Sequence, residues 1–281
     1  MLLSLLASPT LAQDPFRTSN PKPIGPKTEA AFKSIFEKGN YKDAKPLLDQ
    51  AESGEPLADA LKAMMAYGES QTAADAPVRT AALEKLRLYA GQTFANAQKL
   101  SGQDPLRGNL YMAVGRFLEG GHVISTQGIV GGTPQALTKV QQAFNYLDKA
   151  EQVKPDDPEL NLVKGYIDLF LSVTVNLPLS SPNDAIRRLE QLAQPRYLAD
   201  RGLAIGFRDL KQFDRAMQAV DRAIASAPDN PELKYLKAQI LVRQGRNKEA
   251  LPLFQQALQR KEQLPPGTVA QIDNELRRAQ Q

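Results

Sequence analysis

Residues 213–228 read FDRAMQAVDRAIASAP, and residues 247–258 read NKEALPLFQQAL. The second stretch repeats the first at a spacing of 34 residues: Ala216 with Ala250, Val220 with Phe254, and Ala223 with Ala257. Upstream, Ala204 and Ala238 stand at the same interval. The apolar positions within each copy recur at helical spacing. A unit of this length holds two antiparallel helices, the first carrying Ala204 or Ala238 and the second Ala216 or Ala250. Small side chains are needed where the two helices cross closely. Larger ones, such as Val220 and Phe254, fill the space to the next unit. Neither helix can bury its apolar stripe alone, so the units must stack.

The punctuation fits. Asp229-Asn230-Pro231-Glu232 reads as an N-cap followed by proline at the first helical position. Pro228 falls at the exit of the second helix, and Gly245 at the turn between helices, where a left-handed residue is wanted. Lys211 occupies that turn in the preceding unit. On these residues the chain resembles the tetratricopeptide repeat family, whose period is 34 residues. Residues 197–230 and 231–264 match the pattern without insertion. Residues 25–57 match as well, with Gly39, Tyr41, Ala44, Leu48, Ala51 and Pro56 at the corresponding offsets.

The middle of the chain is less regular. Residues 57–100 suggest a helical pair of weaker signature. QQAFNYLDKAEQVKPDDPEL, at 141–160, carries Ala143, Leu147, Ala150 and Pro155 as a second helix and its exit. Its first helix is expected over 106–124, with Gly115 at the small position, joined by a loop longer than the consensus. PELNLVKGYI, at 158–167, parallels PELKYLKAQI, at 231–240, with Gly165 in the place of Ala238. That helix runs long, and NLPLSSPN (176–183) inserts before a second helix holding Ala185, Leu189 and Leu192. In 268–281, Val269, Ile272, Leu276 and Ala279 form one stripe, and Asp273, Asn274, Glu275, Arg277 and Arg278 cover the other side. Such a helix caps a repeat array with a solvated face.

The expected fold is therefore all-α, a right-handed superhelix of helix pairs with divergent, insertion-bearing middle units. Divergent repeats span 28–196, two consensus units 197–264, and a capping helix 265–281. Residues 1–12, MLLSLLASPTLA, resemble the end of a secretory signal peptide, with Thr10 and Ala12 before a cleavage point at Gln13. Residues 13–27 hold four prolines and read as an extended linker. Export to a periplasm, or to a thylakoid lumen in a photosynthetic organism, is the expectation.

Composition narrows the chemistry. The chain has no Cys and a single His. That excludes disulfides, thiolate metal sites, Cys nucleophiles and a lipoprotein anchor. No cofactor is expected. The net charge of +4 is spread among both signs and not gathered into the stripe a nucleic-acid surface needs. His122 follows Gly120-Gly121 with no nucleophile signature around it. GIVGGTPQ, at 128–135, matches neither nucleotide fingerprint, and Thr133 as N-cap with Pro134 at N1 accounts for it. Residues 160–179 are the most apolar stretch, but Lys164 and Asp168 interrupt it. A buried helix is expected there, not a membrane span. Asp156 and Asp157 precede Pro158 as capping residues.

The family resemblance implies a non-catalytic scaffold that holds a partner protein or peptide in a concave groove lined by the first helices. The groove positions map to Tyr166, Leu169 and Phe170, then Arg201, Ile205 and Arg208, then Tyr235, Gln239 and Arg243. Arginines interleaved with aromatics suit an acidic, partly apolar segment. The clamp that holds chaperone tails does not fit, since Leu198 stands where Lys is expected. Assistance in assembling an envelope or membrane complex is one use of such a scaffold. Two alternatives are RNA binding by helical hairpins and an enzyme centred on His122 in the divergent middle.

Overall fold

The computed structural model describes residues 14–175, 177 and 180–281. The signal-like residues 1–12 lie outside that set, as do three residues of the NLPLSSPN insert. Among the described residues the secondary structure is helical, with no strand. The helices are α1 (Pro26–Phe36), α2 (Tyr41–Asp49), α3 (Pro56–Thr72), α4 (Ala76–Leu100), α5 (Pro105–Val153), α6 (Pro158–Leu169), α7 (Pro182–Gln191), α8 (Arg196–Asp209), α9 (Phe213–Ser226), α10 (Pro231–Arg243), α11 (Asn247–Leu258) and α12 (Pro266–Ala279).

Local chemistry sets the boundaries. Asp75, Asp104, Asp157, Ser181 and Asn230 are N-caps whose side chains accept a backbone N–H of the first turn, each with proline at the first or second helical position. The helix-to-helix turns use a left-handed residue five positions before the small alanine of the next helix. Gly39, Lys211 and Gly245 have φ of 63°, 60° and 75°. Ala204, Ala216, Ala238 and Ala250 are fully buried, as the crossing requires. Gly165 does the same work in α6: a Cβ there would lie 2.8 Å from the Leu189 side chain of α7. One hydrophobic cluster runs from Phe16 and Phe32 through Leu110, Leu147 and Leu189 to Phe207 and Ile240. A second closes the last unit, with Phe254 and Ile272 at its centre.

Four expectations are corrected. First, residues 14–25 are extended but are not a solvated linker. Phe16, Arg17 and Ile24 are buried, and the Phe16 ring meets Phe32 edge-on at 4.9 Å. Prolines prevent helix, and the strap packs by its apolar and charged side chains instead. Second, no long loop interrupts α5. It turns back on itself at Gly128 (φ 73°, ψ 175°) into an antiparallel hairpin, so Pro134 lies inside the second half and Thr133 is no N-cap. Third, Gly115 does not face the second half of its own hairpin. A Cβ there would come 2.9 Å from the backbone of Phe94 and 3.1 Å from Ala90 O, both on α4. Fourth, the capping helix is more than a solvated lid, because a Cβ on Gly267 in α12 would lie 1.9 Å from Thr72 Cβ in α3.

That last contact belongs to a larger feature: the two ends of the array meet. Tyr41 at the start of α2 donates its hydroxyl to Glu232 of α10 at 3.1 Å. Asn230 donates its side-chain N–H to Phe36 O at 2.9 Å. The N-terminal hairpin thus docks on the C-terminal units, and the trough is not open along its length.

Candidate functional site

Two arginine-bearing sites are built by these helices. The first is closed. Arg17 of the N-terminal strap reaches the turn before α6, donating to Asp157 at 2.7 and 2.8 Å and to Glu159 at 2.8 Å. It also pairs with Asp14 at 2.9 Å. Arg107 of α5 adds bonds to Glu159 at 3.2 Å and Glu55 at 2.9 Å. Tyr111 donates its hydroxyl to Glu159 at 2.6 Å. Burial and the Glu159 charge both push the Tyr111 hydroxyl well above its ordinary pKa, so it stays a donor. Burial opposes the charge on Arg17 and Arg107, but the surrounding carboxylates outweigh it and keep both protonated. The carboxylates are further stabilised by helix N-termini: Asp157 caps α6 and Glu55 caps α3. Every arm of this cluster is used internally.

The second site is open. It is a pocket of about 450 Å³ between α8, α10 and α12, lined by Arg208, Gln239, Arg243, Gln271, Glu275 and Arg278 and floored in part by Val242 and Ala279. Glu275 is locked at its centre. It accepts from Tyr235 Oη at 2.7 Å, from Gln239 Nε2 at 3.1 Å and from Gln271 Nε2 at 3.1 Å. Burial, and then the bond to Glu275, raise the Tyr235 pKa and keep it a donor. Arg208 is taken by Asp209 at 2.8 Å and by Gln239 at 2.7 Å. Arg243 and Arg278 are exposed and have no carboxylate partner among the described residues. Two guanidiniums therefore face solvent at the mouth of a fixed polar pocket, ready to take a carboxylate or phosphate in a bidentate grip.

The structure divides the nine expected groove residues between roles. Arg208, Gln239 and Arg243 line the open pocket, and Tyr235 orders its acid. Tyr166, Leu169, Ile205 and Arg201 make contacts within the chain. Tyr166 donates to Leu198 O at 2.7 Å and packs on Gly202, while Leu169 is buried on Gly206. Ile205 packs against the main core. Arg201 pairs with Glu232 at 3.3 Å, beneath the docked Tyr41. Phe170 is exposed and contacts Phe117 edge-on at 5.9 Å. The groove face is thus filled at Arg201 by the chain's own α2 and open at its C-terminal end.

Glu275 and Arg278, expected on the solvated side of the capping helix, are pocket walls here, and Gln271 joins them. Their spacing carries a signal: positions 271, 275 and 278 share one helical face beside the apolar stripe. His122 is half-buried, and burial lowers its pKa. Its Nε2 has no hydrogen-bond partner. The acids beside it are held by cations, Glu84 by Arg87 at 2.9 Å and Glu119 by Arg116 and Lys139 at 2.7 Å. Among the described residues no group of His, Cys, Asp and Glu is placed to hold a metal ion. No helix of those residues is long and apolar enough to cross a membrane. The apolar stretch from 160 is α6, continued by a π-turn at Phe170–Thr174.

A family model described as tetratricopeptide repeat matches residues 201–265, the span that holds α9 to α11 and the open pocket's α10 wall. Over that span the chain is similar to tetratricopeptide repeats. Comparisons with curated proteins and with solved structures give no match. Tetratricopeptide arrays are in general non-catalytic units of protein interaction, so a protein partner is what the repeats point to.

Proposed function

We propose that this chain is a tetratricopeptide-repeat protein, an exported, non-catalytic scaffold that holds an acidic, partly apolar segment of a partner protein in the pocket between α8, α10 and α12. The observation that carries this is the pair of unpartnered guanidiniums, Arg243 and Arg278, at the mouth of a pocket whose own acid is already saturated. An incoming carboxylate meets two free forks, and an apolar neighbour meets Val242 and Ala279. Assembly of a larger complex in a periplasm or thylakoid lumen is the use such a scaffold serves best. The leader-like residues 1–12 support the location, and mass spectrometry of the mature N-terminus tests it; a native chain beginning at Met1 overturns it. For the pocket, affinity capture from the native compartment with the wild-type chain and with an Arg243→Glu, Arg278→Glu double variant is the test. A partner captured equally by both overturns the assignment.

A further inference from the structure

Three segments far apart in the chain meet at one end of the molecule: QTAADAPV at 71–78, ISTQGIVGGTPQ at 124–135 and LPPGTV at 264–269. Gln71 Nε2 and Arg79 Nη2 both reach Ser125, at 3.5 and 3.2 Å. Thr72 lies against Gly267. Asp75 is the one ionisable residue in the three segments. A surface patch of that many residues ordinarily carries roughly seven charges. Asp75 is itself engaged, accepting the Val78 N–H at 2.9 Å.

The α5 hairpin forms the apex of this end. At the Gly128 turn, Ile129 is 76% exposed and Val130 94%, the two most exposed large hydrophobics among the described residues. Val78 is exposed beside them. The polar side chains next to the turn are already engaged. Thr126 donates to His122 O at 2.9 Å, Thr133 to Ile129 O, and Gln127 to Gln135 at 2.9 Å. Transfer of the apex out of water therefore strands few polar groups.

A convex apex with two large side chains cannot present the roughly 800 Å² that a stable protein interface needs from each partner. A bilayer requires no matching surface. It requires apolar side chains at a tip and few charges around them, and here Asp75 and Arg79 are the charges in a patch dominated by Ile129, Val130 and uncharged residues. We propose that this end of the molecule rests on a lipid bilayer, with Ile129 and Val130 immersed at the boundary between headgroups and acyl chains. Because Arg79 and Asp75 at the rim balance in charge, attraction does not depend on anionic lipid.

The chain has no Trp, so Val130→Trp in the full folded chain is a clean reporter. With phosphatidylcholine vesicles its emission shifts to the blue and is quenched by brominated acyl chains. In sedimentation, the Ile129→Ser, Val130→Ser double variant loses about tenfold or more of vesicle binding, while the wild-type bound fraction is unchanged by salt or by added phosphatidylglycerol. Both replaced side chains are exposed, so an unchanged unfolding midpoint shows that the variant is folded. Emission unmoved by vesicles overturns the proposal. So does wild-type-like sedimentation of the double variant. A blue shift that appears without lipid and grows with protein concentration overturns it in favour of a second copy of the chain.

Discussion

Arg17 and Arg107 at the N-terminal side, and Arg243 and Arg278 at the C-terminal side, are the same chemical group in opposite situations. The first pair is nearly 100% buried, at 3% and 2% side-chain exposure, among Asp14, Glu55, Asp157 and Glu159. The second pair stands at an open mouth with its nearest acid committed elsewhere. The difference teaches where an array of repeats spends its charges. Complementary charges close the strap onto the stack in one place, and uncompensated charges mark where another molecule enters in the other.

The comparison breaks most sharply at Arg17. Arg17→Ala leaves Asp157 buried without its cation and Glu159 with Arg107 alone, and removing one partner of a buried pair costs about 3–5 kcal/mol. Chemical denaturation should show a midpoint lowered accordingly. A loss under about 1 kcal/mol would mean that the strap is not seated as described.

Asp168 tests the same principle with one charge. It is buried in α6, and burial raises its pKa to about 6 despite Lys164 and Arg188 nearby. The folded state therefore holds this proton more tightly than the unfolded chain, whose ordinary value is 3.8. The protonated form's advantage is complete below about pH 4 and is lost as pH rises through about 6. Asp168→Asn mimics the neutral form. It should stabilise the protein by an amount on the order of 3 kcal/mol above pH 7 and by little below pH 4. Thermal melts of both chains across that range check the sign.

Gly39 tests the docking of the two ends. Its φ is 63°, and a Cβ would lie 2.5 Å from Asn230 Oδ1, the N-cap of α10. Gly39→Ala combines the left-handed penalty with displacement of that cap, about 2 kcal/mol together. Lys211 holds an equivalent φ of 60° at a turn with no such neighbour in the described contacts. Lys211→Gly should be neutral or stabilising by up to about 1 kcal/mol. Paired urea titrations separate the two effects.

How much of this was legible in the sequence follows from what kind of contact each feature uses. The 34-residue spacing exposed α8 to α11 because their packing is local, Ala216 against the helix just before it. The caps at Asn230 and Asp157 were legible for the same reason, being two or three residues from their donors. The strap was not, because Arg17 meets Asp157 across 140 positions and proline content says only that it is not a helix. The docking of Tyr41 on Glu232 spans 191 positions, and nothing in a repeat period tells where the array will meet its own end. Hence the repeat pattern places Arg201 and Tyr166 on a groove face, while the structure gives them partners within the chain, Glu232 and Leu198 O. The α5 hairpin was missed for a different reason: Gly128 makes the turn in one residue, so the glycine-rich stretch looked like a loop while its backbone stayed helical on both sides.

The smallest effect on stability and the largest on binding are expected at the same place. Arg243 and Arg278 are exposed and pay no desolvation to be charged, so the Arg243→Glu, Arg278→Glu double variant should move the unfolding free energy by no more than about 0.5 kcal/mol. Removing two bidentate grips and adding two like charges against an acidic ligand should still abolish capture of the partner, since charge-assisted pairs contribute about 1.5–3 kcal/mol each. Arg17→Ala tests the opposite corner: it should weaken the fold far more than it weakens binding by whatever remains folded. If the double variant instead unfolds like Arg17→Ala, the two arginine sites are alike after all, and the mouth between α10 and α12 is part of the frame.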